Sequence, residues 1–298
     1  MYQSVLKEAC FSGKRIMVTG GGSGIGRCIA HELASLGAEA ILVGRTESKL
    51  RAVSEEILDD GGAATWAVCD IRDEERVQET IREILEGGKR LDGLVNNAGG
   101  QFPAPLALIN QKGFETVVRT NLVGGFLMAR EAYSQCMSEH GGAIVNITAD
   151  HHGGMPGMGH SGAARAGMEN FTRTAAYEWA SSGVRVNAVA PGWIASSGMD
   201  TYDGMIKAII PTLKESIPLR RMGTEAEVSA AVCFLLSEGA NFISGATLRV
   251  DGAASVGNLA LWPLVDARNS VSFNGFHRAV TPKVLAVAEE SKHKEGKE

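Results

Sequence analysis

The sequence has few of the features that mark nucleic-acid-binding, membrane-spanning or secreted proteins. Aromatic residues make up 6% of its 298 residues and the formal net charge is -5, so neither base stacking nor a basic phosphate-binding surface is indicated. No run reaches the roughly eighteen uninterrupted apolar residues of a membrane helix, and residues 1–15 lack the apolar core of a secretory signal. We therefore expect a small-molecule substrate, with no nucleic acid and no membrane span.

Cysteine is also scarce and is never paired in the sequence. The five cysteines are widely spaced and form no C-x-x-C motif, so neither a disulfide framework nor a zinc site is predicted. A reducing, cytoplasmic compartment is the expectation that fits this usage. The five residues are Cys10, Cys28, Cys69, Cys136 and Cys233.

The most informative stretch is a glycine-rich one near the N-terminus. An apolar run at residues 16–18 leads into TGGGSGIG at residues 19–26, and Ile25, Ile29 and Leu33 then recur at helical spacing. Glycines let the backbone approach a ligand closely, and the free N–H groups of a helix N-terminus attract phosphate. Strand, glycine loop and helix open a dinucleotide-binding unit, although a simple glycine-rich turn would share the composition.

Short apolar runs alternate with helical patterns along the rest of the chain. Apolar strands separated by helices of ten or more residues are typical of a parallel sheet covered on both faces. We predict the α/β fold class: a single doubly wound (Rossmann) domain over residues 1–252, with a seven-stranded parallel sheet and helices on both faces. The predicted strands are 16–18, 40–43, 65–69, 93–95, 143–147, 184–189 and 247–250, and the clearest helices are 73–86, 111–138, 161–181 and 225–237.

Two regions fall outside this alternation. Residues 196–222 follow the sixth strand, where an insertion would overhang the carboxyl ends of the strands as a lid; an ordinary pair of surface helices is the alternative. Residues 253–298 form a C-terminal extension. Its first part is apolar enough to dock on the domain, whereas its end, residues 289–298, is charged and predicted to be disordered.

Over residues 13–252 the chain resembles the short-chain dehydrogenase/reductase family. The resemblance is carried by the glycine loop, Asp70 after the third strand, NNAG at 96–99, Asn121 in the fourth helix and APGWI at 190–194. It implies that the glycine loop binds the pyrophosphate, Asp70 borders the adenine, NNAG closes on the adenosine ribose and APGWI faces the nicotinamide. Asp70 alone could be only a helix cap. The implied cofactor-binding residues are Gly20, Ser23, Gly24, Ile25, Gly26, Asp70, Ile71, Asn97, Ala98, Gly99, Pro191, Gly192, Ile194 and Ser196.

The end of the second strand favours one dinucleotide over the other. A carboxylate there would bind the ribose hydroxyls of NAD and repel a 2′-phosphate. Gly44 and Arg45 stand there instead, and a guanidinium can grip a phosphate. NADP (NADPH) is therefore the predicted cofactor, with Arg45 and Ser23 as contacts. The alternative is that Arg45 is a surface residue paired with Glu47.

The resemblance breaks where most members carry a catalytic tyrosine and, four residues later, a lysine. The segment ARAGM at residues 164–168 aligns Ser161 with the tyrosine and Arg165 with the lysine. A serine hydroxyl cannot take up a proton unaided near neutral pH, and arginine is never a general base. Oxidation of an alcohol therefore lacks its usual base. Reduction of a conjugated C=C bond instead places charge on a carbonyl oxygen, which donors such as Ser161 and Arg165 can stabilise.

The replacement itself resembles one branch of the family. Enoyl-CoA and 2,4-dienoyl-CoA reductases lack that tyrosine, and HSGAARAGM at residues 160–168 is similar to the peroxisomal trans-2-enoyl-CoA reductases. This resemblance implies that Arg165 holds the nicotinamide ribose and that Ser161 contacts the ribose or the thioester oxygen. Asn121 would anchor a proton-relay water.

The remaining candidates for a proton donor lie in DHHGGMPGMGH at residues 150–160. Asp150, His151, His152 and His160 follow the fifth strand, and histidine titrates in the useful range. The alternative is that they only shape the pocket or cap the helix. Because adjacent histidines on a glycine-rich loop lack a defined ligand spacing, no metal is predicted.

The sequence leaves the substrate open. The leading prediction is an NADP-dependent oxidoreductase that reduces the conjugated C=C bond of an enoyl- or dienoyl-CoA-type substrate. The N-terminus, the tail and the lid also resemble dehydrogenases of acyclic terpenoid alcohols such as citronellol, so an NAD(P)-dependent alcohol/aldehyde dehydrogenase is the alternative. A cofactor-binding sensor with a decayed site is a third. The resemblance also implies a homo-oligomer, a tetramer or dimer, that pairs through the long fourth and fifth helices and the last strand.

Overall fold

A parallel sheet with helices on both faces forms the centre of the molecule. The structure, a computed structural model, describes residues 1–202, 204–257 and 263–286. Its strands are β1 (Arg15–Thr19), β2 (Glu39–Gly44), β3 (Ala63–Val68), β4 (Gly93–Asn96), β5 (Gly142–Ile147), β6 (Val184–Pro191), β7 (Ile194–Ala195), β8 (Gly223–Thr224) and β9 (Thr247–Val250). Within the described residues, seven strands pair in parallel in the order β3-β2-β1-β4-β5-β6-β9. The predicted fold class is confirmed.

The helices begin and end close to the predicted positions. Asp73 and Asn110 accept backbone N–H groups of the third and fourth helices, and Thr224 forms a capping box with Glu227 in the last one. The helices are α1 (Gly24–Ser35), α2 (Glu47–Asp59), α3 (Glu74–Leu85), α4 (Gln111–Val118), α5 (Gly124–Ala132), α6 (Ser138–His140), α7 (Gly159–Glu178), α8 (Gly204–Ile209) and α9 (Glu225–Leu236). No described helix is long and apolar enough to cross a membrane.

The long helix predicted at residues 111–138 is interrupted rather than regular. The stretches Arg119–Val123 and Tyr133–Met137 are π-helical and join α4, α5 and α6. Asn121 lies in the first of these stretches and is buried. A π-helical turn shifts the side chains that follow it, and such turns are frequent at functional sites.

Each face of the sheet carries its own apolar core. Met17 and Ile41 belong to one cluster, and Val18 and Leu42 to the other, because successive side chains of a strand point to opposite faces. The two edge strands depart from the expectation of strands buried throughout. Trp66 on β3 is 37% exposed, since an edge strand has a neighbour on one side only.

The position of the site follows from the strand order. From β1 the chain crosses to β2 and β3 on one side, and from β4 it crosses through β5 and β6 to β9 on the other. The crossover direction therefore reverses between β1 and β4. In open parallel sheets, ligands bind at such a reversal, outside the carboxyl ends of the strands.

Residues 196–222 leave the sheet and return to it through a small strand pair. Ile194 pairs with Gly223 and Ala195 with Thr224, so β7 and β8 close the base of this excursion. Two 3₁₀ stretches, Ser197–Thr201 and Ile210–Ser216, flank α8 within it. We call residues 196–222 the lid.

The described part of the C-terminal extension, residues 263–286, docks on the N-terminal segment and on α1 and α2. The Gln3 N–H donates to the Gly275 carbonyl at 2.9 Å, and the rings of Tyr2 and Phe276 lie 5.7 Å apart. Arg278 donates to both oxygens of Asp60 at 2.9 and 3.0 Å. The charged end predicted to be disordered lies outside the described residues.

Removal of the Phe276 ring should destabilise the fold. Phe276 is 3% exposed, so Phe276→Ala should lower the free energy of unfolding by about 3 kcal/mol through lost burial and an unfilled cavity. Chemical denaturation measures this. Val280→Ala, at a side chain 72% exposed, is the control and should change little. Equal stability of both variants would show that the extension does not contribute to the folded core.

Candidate active site

The loop between β1 and α1 is shaped to accept phosphate. Gly20 and Gly24 have φ values of +67° and +56°, which disfavour other residues. A Cβ on Gly26 would collide with the Gly20 carbonyl oxygen and lie 2.5 Å from Nδ2 of Asn97. Ser23 precedes the helix in an extended conformation, and within the described residues its side chain makes no capping hydrogen bond. The first N–H groups of α1 thus remain available to an anion.

A cleft of about 280 Å³ runs from this loop to the end of β2. Arg72 donates to both carboxylate oxygens of Asp70 and holds the pKa of Asp70 below its usual range. Arg45 stands exposed at the rim, and in the part of the chain that the structure describes no ion pair joins it to Glu47. Lys49 also lines the cleft. The predicted residues that line it are Gly20, Ser23, Arg45, Asp70, Ile71, Asn97, Ala98 and Gly99.

The sequence reasoning missed two of the cations at this cleft. Lys49 lies in the first turn of α2, which begins at Glu47 just after Arg45, so both residues stay near the end of β2. Arg72 lies two residues after Asp70 and therefore reaches the same strand end. The short distance in sequence between Arg45 and Lys49 could have predicted that Lys49 lines the cleft. The position of Arg72 depends instead on how the chain turns after β3.

A second cleft, of about 610 Å³, opens beyond the glycine loop. Its walls include the predicted nicotinamide-binding residues and apolar side chains from the lid and from the loop after β5. The predicted residues at this cleft are Ile25, Asn97, Gly99, Asp150, Arg165, Pro191, Gly192, Ile194 and Ser196, and the apolar ones include Met155, Met158, Trp193 and Met199. An apolar substrate would lie against the nicotinamide end of a bound dinucleotide here.

Two predicted catalytic residues converge on one backbone segment, residues 99–101. The Asn121 side chain accepts the Gly100 N–H and donates to the Gly100 carbonyl, both at 2.9 Å. Nη1 of Arg165 donates to the Ile147 carbonyl at 2.6 Å, and its Nη2 lies so close to Gly99 that a Cβ there would be 2.6 Å away. Asn121 therefore fixes this segment, and Arg165 passes alongside it.

Arg165 is a half-buried cation that lines the second cleft. Burial lowers its pKa to about 10, so the guanidinium is still charged at neutral pH. Its Nε is buried and has no hydrogen-bond partner among the described residues. A buried donor without a partner is costly, and the hydroxyls of a nicotinamide ribose would satisfy it. The residues present therefore fit a bound dinucleotide.

Ser161, the third predicted catalytic residue, does not reach the cleft. It is 0% exposed and donates to Oε1 of Gln101 at 2.6 Å. Gln101 lines the cleft instead, and its Nε2 donates to the hydroxyl of Tyr202 in the lid at 2.9 Å. The sequence reasoning missed Gln101 and Tyr202, since neither lies in a motif.

His160 lies behind the cleft and contacts the start of α7; it does not line the cleft. It is 0% exposed, and its ring meets Phe102 edge-on at 4.4 Å. Its Nδ1 accepts the Ser161 N–H at 2.9 Å, which orients the start of α7. Nε2 of His160 has no partner within the described ranges.

The other two histidines face away from the cleft. His151 and His152 stack at 4.8 Å beside the buried carboxylate of Glu169. Nε2 of His151 lies 3.0 Å from one carboxylate oxygen without the alignment of a hydrogen bond, and Nη1 of Arg173 lies 4.0 Å from the other. The three candidate ligand atoms lie within 4.8 Å of one another, but Arg173 already supplies positive charge there. The absence of a metal stays a prediction.

Comparison with known proteins identifies the family. The family model described as enoyl-(acyl carrier protein) reductase matches residues 20–255. A probable 2,4-dienoyl-CoA reductase of Bacillus subtilis, which produces (2E)-enoyl-CoA, is 35% identical over 243 residues, 80% of this chain and 95% of the relative. The chain belongs to the short-chain dehydrogenase/reductase family. It is an oxidoreductase of this family, whose members bind NAD(P), and the predicted resemblance is confirmed.

Solved structures of the family agree with this fold. A citronellol catabolism dehydrogenase of Pseudomonas aeruginosa is 60% identical, with a TM-score of 0.78 over 86% of this chain and 100% of that chain. A neighbour from Beutenbergia cavernae, described as an NAD(P)-dependent gluconate 5-dehydrogenase and solved with NADP at low occupancy, is 32% identical, with a TM-score of 0.75 over 83% of this chain and 99% of that chain.

Glu225, which the sequence reasoning also missed, brings a carboxylate beside the glycine loop. A Cβ on Gly24 would lie 3.8 Å from both Oε1 of Glu225 and Oγ of Ser197. Burial raises the pKa of Glu225 to about 7, against the opposing charge of Arg27. The folded protein thus holds a proton here that the unfolded chain releases near pH 4.5.

This raised pKa predicts a pH-dependent stability. Between about pH 4.5 and 7 the folded state binds more protons at Glu225 than the unfolded state, so this carboxyl lowers the free energy of unfolding as pH rises through that window. Glu225→Gln should remove that loss and be more stable than the wild type at pH 8 by about 1–3 kcal/mol. Thermal and urea unfolding at pH 5 and 8 measure the difference. Glu178→Gln, at an exposed position of α7, is the control; equal pH slopes for all three proteins would contradict the assignment.

Proposed function

We propose that the protein reduces the conjugated C=C bond of an α,β-unsaturated acyl thioester with NADPH. The observation that carries the proposal is the state of Ser161, which occupies the tyrosine position of the family. It is buried and donates to Gln101, so α7 presents no phenol for the usual exchange of a proton with an alcohol. A family member that keeps the dinucleotide site but lacks this group is suited to reduction of a polarised C=C bond.

The chemistry makes different demands from carbonyl reduction. Bound NADPH supplies a hydride to the β-carbon, and negative charge then develops on the thioester carbonyl oxygen. Donors held in a water-poor cleft stabilise that charge strongly because they need no reorganisation. Arg165 lines the cleft and contributes a guanidinium that stays charged at neutral pH. Asn121 keeps residues 99–101 fixed beside it.

The second candidate is oxidation of an acyclic terpenoid alcohol such as citronellol. The neighbour of 60% identity bears that name, which favours a branched apolar substrate. Asp150, which lines the cleft with one buried oxygen unpartnered among described residues, is the base that this reaction would need. The apolar wall of methionines suits the hydrocarbon part of either substrate.

NADP is proposed over NAD because three cations surround the end of β2. Arg45, Lys49 and Arg72 line the same cleft, and no carboxylate takes the position that would repel a 2′-phosphate. The neighbour solved with NADP supports the same choice. Asp70 is neutralised by Arg72, which weakens its repulsion of the phosphate.

We further propose a cytoplasmic homo-oligomer. Phe126 on α5 is 37% exposed and meets Phe171 of α7 edge-on at 5.7 Å, so these helices present aromatic surface that a second copy would cover. Leu248 on the edge strand β9 is 39% exposed.

A substrate screen separates the two reactions. NADPH consumption at 340 nm should follow the addition of trans-2-decenoyl-CoA or 2,4-decadienoyl-CoA, because the site stabilises an enolate oxygen. Citronellol with NADP⁺ is the competing arm and should give no NADPH. A protein that binds NADPH but is silent with both thioesters, or that oxidises citronellol alone, would remove the leading proposal.

Reversal of the charge at Arg45 should change the preference between dinucleotides. Arg45→Glu should weaken NADPH binding roughly 10- to 100-fold through loss of a charge-assisted contact and added repulsion, while NADH binding changes little. Titration of cofactor fluorescence measures both constants. Arg82→Glu, an exposed arginine of α3, makes the same change in net charge elsewhere. Equal weakening by both variants would point to a general electrostatic effect.

A further inference from the structure

We propose that Tyr202 in the lid is the proton donor to the α-carbon. The inference rests on the proposed function, since it supplies the proton that reduction of a C=C bond requires. Tyr202 lines the same cleft as Pro191, Gly192 and Ile194, the residues placed at the nicotinamide. It therefore stands in the wall that a substrate would touch while its β-carbon faces the cofactor.

Two hydrogen bonds fix the orientation of this phenol. Oε1 of Gln101 accepts the Ser161 hydroxyl at 2.6 Å, which leaves Nε2 of Gln101 to donate to the Tyr202 oxygen at 2.9 Å. Because Ser161 is 0% exposed, water does not compete for its hydrogen bond to Oε1 of Gln101. The tyrosine oxygen is thus an acceptor towards Gln101, and its own hydrogen is free to point into the cleft.

The phenol of Tyr202 enters the cleft from the lid, whereas the tyrosine of most family members would enter it from α7. The residue on α7 is a serine, too short to reach the cleft, and Gln101 fills the space beside it. Gln101 in turn follows Gly100, whose backbone Asn121 holds with two hydrogen bonds. Asn121 and Ser161 therefore position Gln101, and Gln101 in turn positions Tyr202 of the lid.

The C-terminal extension holds the part of the lid that carries Tyr202. The backbone N–H groups of Lys283 and Val284 donate to the two carboxylate oxygens of Asp200, at 3.2 and 3.1 Å. Thr201 is tied to Gly198 within the same 3₁₀ stretch at 2.7 Å. The 3₁₀ stretch that directly precedes Tyr202 is therefore anchored.

The atoms and charges of the proposed reduction balance. With NADPH bound, the β-carbon would take a hydride from the cofactor, which would leave as NADP⁺, and the C=C electrons would move towards the thioester oxygen. The α-carbon then takes the hydroxyl proton of Tyr202, forming a C–H bond as the O–H bond breaks. The Gln101 N–H stabilises the phenolate left behind, and solvent returns one proton to it. The sum is reduction of one C=C bond by one NADPH and one proton.

The test compares Tyr202→Phe with the wild type on the thioester that the wild type reduces. Proton transfer by a positioned acid contributes roughly 10²- to 10⁴-fold, so kcat should fall by about a hundredfold or more, while the dissociation constant of NADPH stays within about twofold. A solvent isotope effect on kcat should mark the same step.

Matched variants separate chemistry from structure. Tyr177→Phe, at a tyrosine 88% exposed on α7, should behave as the wild type. Asp150→Asn tests the carboxyl group that lines the same cleft: a hundredfold loss of kcat there, with Tyr202→Phe unaffected, would overturn the proposal in favour of Asp150. Retention of more than a third of kcat in Tyr202→Phe would also overturn it. A wild type inactive with every thioester would instead refute the proposed function.

Discussion

The hydrogen bonds that join the end of β1 to the end of β4 are the constraint on which the site depends. The Thr19 hydroxyl accepts the N–H groups of Asn97 and Ala98 at 3.0 and 2.9 Å, and the Asn97 side chain donates to the Thr19 carbonyl at 2.9 Å. These bonds lie where the crossover direction of the sheet reverses. They fix the glycine loop against the segment that leads to Gln101, so the two ends of a dinucleotide would meet rigid backbone.

Beyond this junction, side chains of the fourth helical stretch and of α7 contact residues 99–101. Asn121 holds Gly100, Ser161 holds Gln101, and Arg165 lies beside Gly99 with a donor to spare. The helix α7 thus supplies support and positive charge, but no group that titrates near neutral pH reaches the cleft from it. Proton transfer has to come from another wall, and the lid is the wall that Gln101 contacts. The C-terminal extension holds Asp200 in the lid and thereby supports the candidate active site indirectly.

Local patterns were enough to predict the fold and to propose residues for the cofactor half of the site. The glycine loop and the cap residues before α3 and α9 depend on neighbours within a few residues, so their spacing in the sequence predicts them. The proposed role of Arg45 at the end of β2 rests on the same kind of local spacing. The expected role of Ser161 as a substrate contact was less secure. Its helix position was predictable, but its burial depended on Gln101, 60 residues away, and no pattern in the sequence signals that contact.

The sequence by itself determined the order of strands and helices, the phosphate cradle and the loss of the tyrosine from α7, because each of these is encoded in a contiguous stretch. Only the tertiary structure decided that His151 and His152 turn to Glu169, that the C-terminal extension packs on Tyr2 and holds the lid, and that Tyr202 faces Gln101. Those outcomes join residues that are 17 to 274 positions apart in the sequence (His152 and Glu169, 169 − 152; Tyr2 and Phe276, 276 − 2). Such pairs form because burial of apolar surface and satisfaction of polar groups are settled for the whole fold at once.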